Sequence, residues 1–215
     1  MTPTEHRFSG PAGDLCWFEW GKPGQGPSLL LLHATGFHAR CWDRVFEALP
    51  QGLHVIAVDL RGHGRSYRPA SLSDWGATAA DVLALVEALF PKPVFAIGHS
   101  MGAAVAARVA ALAPDRFERL LLIDPVLMPR EVYETGAGAP LGDPADHPIS
   151  RRRNAWENPE QMIERFAERA PYSGWKPEVL DDYCRFGLVP APDGTSLELG
   201  CPPMLEASAY MGAAR

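Results

Sequence analysis

The chain has 215 residues, nearly half of them apolar, which is enough for one substantial core and points to one domain with room for an insertion. Twenty basic residues against 26 acidic leave a net charge of −6, and the only basic run is Arg151-Arg152-Arg153, so a nucleic-acid partner is excluded. The four cysteines are scattered without metal-site spacing, the first ten residues lack the apolar stretch of a secretory signal, and no segment reaches the ~18 apolar residues of a membrane span. A soluble cytoplasmic protein with reduced thiols is therefore expected.

Strand and helix signals alternate over residues 1–125. Residues 15–20 and 28–33 are apolar runs of strand length, the second unbroken enough to be buried on both faces. Trp42, Val45, Phe46 and Leu49 fall at helical spacing, and residues 54–58 supply another buried strand. Over residues 74–90, Trp75, Ala79, Val82, Val86 and Leu89 share one helical face, with Asp81 and Glu87 opposite. Residues 93–97 read as a strand, 101–113 as an alanine-rich helix stopped by Pro114, and 120–123 as a further strand. Such alternation predicts an α/β fold, a mostly parallel sheet with helices on both faces.

After Pro125 the character changes. Residues 136–148, rich in Gly, Pro, Ala and Asp, read as a mobile loop. Three helical stretches follow with no strand among them: one capped by Asn158 with Pro159 in its first turn, one over about 178–186 stopped at Gly187, and one opened by Pro203. The division expected is a core over 1–125 and a helical lid over 126–215, roofing the strand ends. Trp156, Phe166, Tyr172, Trp175, Tyr183 and Phe186 are its aromatics, available for core packing or for an apolar pocket wall.

Gly98-His99-Ser100-Met101-Gly102 joins a strand directly to a helix. G-x-S-x-G in that setting is a nucleophile elbow: a serine on a sharp, strained turn, with small neighbours two away on either side letting strand and helix approach. The following helix N-terminus supplies the Met101 N–H and a partial positive charge for a developing oxyanion. His33-Ala34-Thr35-Gly36 follows an earlier strand, and Asp59-Leu60-Arg61-Gly62-His63-Gly64-Arg65-Ser66 the next.

With these three motifs in order, the chain resembles the α/β-hydrolase superfamily along essentially its whole length. The resemblance implies that Ser100 is the nucleophile, that the N–H groups of Thr35 and Met101 form the oxyanion hole with Ala34 where a glycine is usual, and that His33 braces the turn. It makes the loop containing His63 structural. Nucleophile, acid and histidine follow in that order in this fold. Asp124, ending the 120–123 strand, is the visible acid, with Asp143 and Asp146 as weaker alternatives. His147, in the loop, is the only histidine after Ser100. His99 should point away from the nucleophile. Family members continue past the lid, inserted after the sixth strand, through two more strand–helix units of roughly 60 residues that end in the histidine. The chain reads as lacking them, and with them the base.

The function expected is hydrolysis of a small carboxylic ester or related acyl compound through an acyl-enzyme on Ser100, with a small-molecule substrate, no cofactor, no metal and no membrane partner. A serine at the elbow argues against epoxide and halide chemistry, which use an aspartate there, but leaves perhydrolysis, acyl transfer and C–C bond hydrolysis open. A non-catalytic hydrolase-like binding protein is the alternative from a different class.

Overall fold

A computed structural model describes residues 2–24, 26–135 and 142–212. In chain order the elements are β1 (Thr4–Ser9), β2 (Asp14–Trp20), β3 (Ser28–Leu32), a 3-10 turn leading into α1 (Asp43–Ala48), β4 (His54–Val58), α2 (Trp75–Leu89), β5 (Val94–His99), α3 (Met101–Leu112) and β6 (Phe117–Ile123). They are followed by α4 (Arg130–Thr135), β7 (Ala155–Trp156), α5 (Pro159–Ala167), α6 (Pro177–Gly187), β8 (Leu188–Pro190), β9 (Leu197–Leu199) and α7 (Pro203–Tyr210).

The main sheet has the order β1-β2-β4-β3-β5-β6. Strands β4, β3, β5 and β6 run parallel, and β1 and β2 close one edge antiparallel. Because β3, β4 and β5 are covered on both faces, their residues are apolar in unbroken runs rather than in alternation. One face carries α2 and α3, whose Ala79, Val82, Val86, Val105 and Val109 pack on Leu30, Ile56 and Val94. The other face packs Phe18, Leu29, Leu31, Val55 and Ile97 against Ala39 and Trp42. Every parallel strand therefore delivers its C-terminal end to the same edge, where the loops after β3, β4 and β5 meet.

Beyond β6, the chain builds a second layer around Trp156, Met162, Phe166, Leu180, Tyr183 and Leu188, with Phe37 and Cys41 of the β3–α1 connection packed against it. The Asn158 side chain accepts the Gln161 N–H at 2.9 Å, capping α5 with Pro159 in its first turn. Two expectations need correction. The layer is not purely helical: β7, β9 and β8 form a small antiparallel sheet. Asp81 does not sit on an exposed face of α2 but is buried, paired with Arg61 at 2.6 Å and accepting the Tyr67 hydroxyl at 2.9 Å. Of the stretch expected to be a loop, residues 136–141 lie outside the described residues, while Pro144–Asp146 and Pro148–Arg151 form 3-10 turns. The four cysteines are free. No helix among the described residues is long and apolar enough to cross a membrane.

Candidate active site

Strand β5 ends at His99 and α3 begins at Met101, so Ser100 alone makes the turn, with φ 52° and ψ −115°. It and Asp124 (φ 44°) are the two non-glycine residues with positive φ among the described residues. The flanking glycines explain how so sharp a turn is packed. A Cβ on Gly98 would lie 2.5 Å from the Gly102 carbonyl oxygen and 2.6 Å from the Ala103 nitrogen. One on Gly102 would lie 2.3 Å from the Leu32 oxygen and 2.6 Å from that of His33. The first turn of α3 is thus pressed against the end of β3, where the His33-Ala34-Thr35-Gly36 turn begins.

That contact sets the start of α3 beside the strand end from which the Thr35 turn leaves, and a backbone N–H on each side lacks a partner. As the first residue of α3, Met101 has no intrahelical partner for its N–H. Among the described residues, none accepts the Thr35 N–H. The turn is closed by Phe37 N–H donating to the Ala34 carbonyl at 3.1 Å, with Gly36 at φ +75°. Ala34 itself has no positive φ, so a methyl group fits where the resemblance has glycine.

Two buried histidines brace this turn. His33 donates from Nδ1 to the Ala34 carbonyl at 2.8 Å and accepts the Leu60 N–H through Nε2 at 3.0 Å. His63 donates from Nδ1 to the Arg61 carbonyl at 2.9 Å and accepts the Gly36 N–H through Nε2 at 3.1 Å. Both nitrogens of each ring are occupied, which fixes the neutral tautomers. Burial holds His33 well below the usual histidine range and His63 down to about 4. Asp59 completes the loop by accepting the Ala39 N–H at 2.7 Å and the Arg65 N–H at 2.8 Å, and burial pushes it up to about 6.

The remaining predicted residues divide. Asp124 lies beside Ser100: His99 pairs with Ile123, and Ser100 N–H donates to the Ile123 carbonyl at 2.9 Å. Its side chain is exposed and has no partner among the described residues. His147 is not brought to the elbow; it stacks on Tyr210 at 4.8 Å and accepts the Ile149 N–H. Asp143 caps a 3-10 turn by accepting the Ala145 N–H, and Asp146 ends that turn. No described histidine hydrogen-bonds the Ser100 hydroxyl.

Two cavities flank the Thr35 turn, sharing Phe37 and Tyr183 as the wall between them. The first, about 200 Å³, is apolar, lined by Cys41, Trp42, Val45, Trp175 and Val179, with His33 and His99 at its base. The second, about 340 Å³, mixes aromatic walls with polar groups and reaches Arg152, Arg169, Glu206 and Tyr210. The aromatics of the second layer are split accordingly: Trp175, Tyr183, Phe166 and Tyr172 line cavities, Trp156 is core at 1% exposure, and Phe186 lies under the Arg40 guanidinium.

Sequence reasoning missed the pair Arg152–Glu206. Arg152 donates to Glu206 at 2.6 Å and to the Tyr183 hydroxyl at 3.1 Å, and Glu206 packs against Gly36 of the Thr35 turn. Burial raises the Glu206 carboxyl, and Arg152 opposes that rise. Because Glu206 is 3% exposed, removing one partner strands a charge. Glu206→Ala is expected to lower stability by about 3 kcal/mol. The double variant Arg152→Met/Glu206→Leu should recover most of that loss in urea melts; equal losses in both would show that the pair is not a buried charge unit.

Residues 29–209 match the model of the alpha/beta hydrolase family. The chain is 34% identical over 178 residues to the dihydrolipoyllysine-residue acetyltransferase component of the acetoin cleaving system of Pseudomonas putida, covering 80% of this chain and 43% of that one. It is 33% identical over 145 residues to the lipase LipV of Mycobacterium tuberculosis, covering 64% of this chain and 55% of that one. The chain thus spans about half the length of these relatives. Among solved structures, E-2-(acetamidomethylene)succinate hydrolase superposes with a TM-score of 0.78 at 22% identity, covering 99% of this chain and 74% of that one. Elbow, braced turn and sheet order agree with the match over residues 29–209, and the chain belongs to the alpha/beta hydrolase family.

Proposed function

We propose that the protein is a serine hydrolase acting on a small carboxylic ester or related acyl substrate, with Ser100 as nucleophile and the N–H groups of Thr35 and Met101 as the oxyanion hole. The observation that carries this reading is the Ser100 backbone, held at φ 52° by two glycines whose close contacts seat the α3 N-terminus on the Thr35 turn. Ser100 Oγ attacks the carbonyl carbon, its proton passes to a base, and the carbonyl oxygen gains negative charge between the two amides. Such donors are worth roughly 3–4 kcal/mol each to the transition state. The leaving group departs protonated, and water then releases the acyl group from Ser100.

Asp124, beside Ser100 across β5 and β6, is proposed as the acid that orients the base. The base is neither His33 nor His63, since both of their nitrogens are engaged. Segments α5 and α6 act as a lid, and the apolar cavity of about 200 Å³ receives an apolar part of the substrate. Four free thiols fit a cytoplasmic setting. Perhydrolysis, acyl transfer or C–C bond cleavage would use the same nucleophile.

A second reading, a non-catalytic ligand-binding protein, is favoured by the absence of a described histidine bonded to Ser100. A fluorophosphonate probe separates the two. Covalent labelling mapped to Ser100 and lost in Ser100→Ala is the expected result. A folded protein that does not react, by intact mass, would leave the binding protein as the better reading.

A further inference from the structure

Among its polar groups, the cavity of about 340 Å³ beside Thr35 has more donors than acceptors. Its walls hold two guanidiniums, Arg152 and Arg169, against one carboxylate, Glu206, and that carboxylate is already taken by Arg152 at 2.6 Å. Arg169 forms no ion pair among the described residues, although Glu164 and Glu168 border the open depression on its other side. The hydroxyls of Tyr172 and Tyr210 likewise have no partner among the described residues, while their rings are set by stacking on Phe166 at 4.5 Å and on His147 at 4.8 Å.

The Arg169 backbone is fixed as well. Its N–H donates to the Phe166 carbonyl at 2.9 Å, and its own carbonyl accepts the Ser173 N–H at 2.9 Å. A cavity with one surplus positive charge, unpaired hydroxyl donors and no free acid is matched by a single-charged planar acceptor, which a guanidinium fork can hold by two parallel hydrogen bonds. Thr35 belongs to the same wall, so a group held there lies beside the turn proposed to polarise the scissile carbonyl.

We propose that this cavity is a carboxylate subsite, in which Arg169, assisted by Tyr172 and Tyr210, binds the remote carboxylate of a monoester or monoamide of a short dicarboxylic acid. The inference deepens the hydrolase reading and rests on it for the identity of the substrate. Arg152, committed to Glu206 and Tyr183, offers no free fork, and the surplus charge is that of Arg169. The volume of about 340 Å³ falls in the range of small-ligand sites. Arg169 is a specificity-determining residue on this account, not a catalytic one.

The test uses binding to the Ser100→Ala protein, so that turnover plays no part. Monoethyl glutarate and diethyl glutarate are titrated calorimetrically at low salt into Ser100→Ala and into the same protein carrying Arg169→Ala or Arg169→Glu. The monoester is expected to bind at least tenfold more tightly than the diester. Arg169→Ala should bring the two together, Arg169→Glu should abolish monoester binding, and the diester should stay within twofold throughout. Equal affinities for the two esters, a preference that survives Arg169→Ala, or no binding of either would overturn the subsite. Because Arg169 is exposed, its variants are expected to melt with the parent, and circular dichroism checks this. Failure of probe labelling at Ser100 would leave this result standing, and loss of the carboxylate preference would leave the labelling standing.

Discussion

Lowering the pH from 7.5 to about 5 is expected to remove roughly 4 kcal/mol of folding stability, the net of a larger loss at three buried histidines and a partial return at buried acids. His33, His38 and His63 are all held neutral by burial, His38 down to about 3, His63 down to about 4 and His33 well below its ordinary 6.5. Each has a folded-state value below its unfolded one, so its contribution is complete above pH 6.5 and is lost as the pH falls below that. The unfolded chain takes up the protons and the folded chain does not. At pH 5 each histidine accounts for roughly 2 kcal/mol, or about 6 together.

Buried acids work in the opposite sense. Burial raises Asp59 from 3.8 to about 6, so the penalty for its charge is relieved as the pH falls from 6 toward 3.8, returning roughly 1 kcal/mol at pH 5. Asp43 and Glu206 are raised by burial too and add to that return. Urea midpoints across this range should therefore fall most steeply between about pH 6 and 5. His63→Gln should flatten the slope by about a third whatever it does to the stability at pH 7.5. A midpoint that stays level or rises on acidification would show that these rings are not neutral in the folded protein.

What could be read from the sequence was what is written locally. The elbow was legible because strand, glycine, serine, glycine and helix are contiguous, and β3, β4 and β5 because burial on both faces leaves an unbroken apolar run. Strand β1 was not, since it is an edge strand carrying Glu5 and Arg7 with one partner, and its half-exposed pattern resembles a loop. The β7-β9-β8 sheet was not, because two- and three-residue strands have no period to detect. Asp81 was placed on the wrong face of α2 by a periodicity that knows nothing of Arg61 or Tyr67, two side chains delivered by the loop after β4. Arg152 stood out only as part of the Arg151-Arg152-Arg153 run; its partner is 54 residues away, and only the tertiary structure brings Glu206 beneath Gly36.

The elbow itself makes opposite predictions at positions two residues apart. Gly102→Ala is expected to destabilise the fold by about 3 kcal/mol or more, because its methyl would lie 2.3 Å from the Leu32 oxygen, in the middle of the sheet. Strand β5 lies just as close to the same turn, since a Cβ on Gly98 would lie 2.5 Å from the Gly102 carbonyl oxygen, so α3 has little room to shift without disturbing the elbow. Ser100→Gly should instead stabilise. Serine at φ 52° and ψ −115° stores strain on the order of 1–3 kcal/mol, and the entropic penalty of glycine takes back up to about 1. A net gain of about 1 kcal/mol is expected, together with complete loss of probe labelling. If Ser100→Gly is neutral or destabilising in urea melts, the turn is not strained and the geometry that presents the serine hydroxyl is held for another reason. If it stabilises while Gly102→Ala unfolds the chain, the two glycines and the strained serine form one packing unit, in which the fold gives up stability to hold the Ser100 turn against the end of β3.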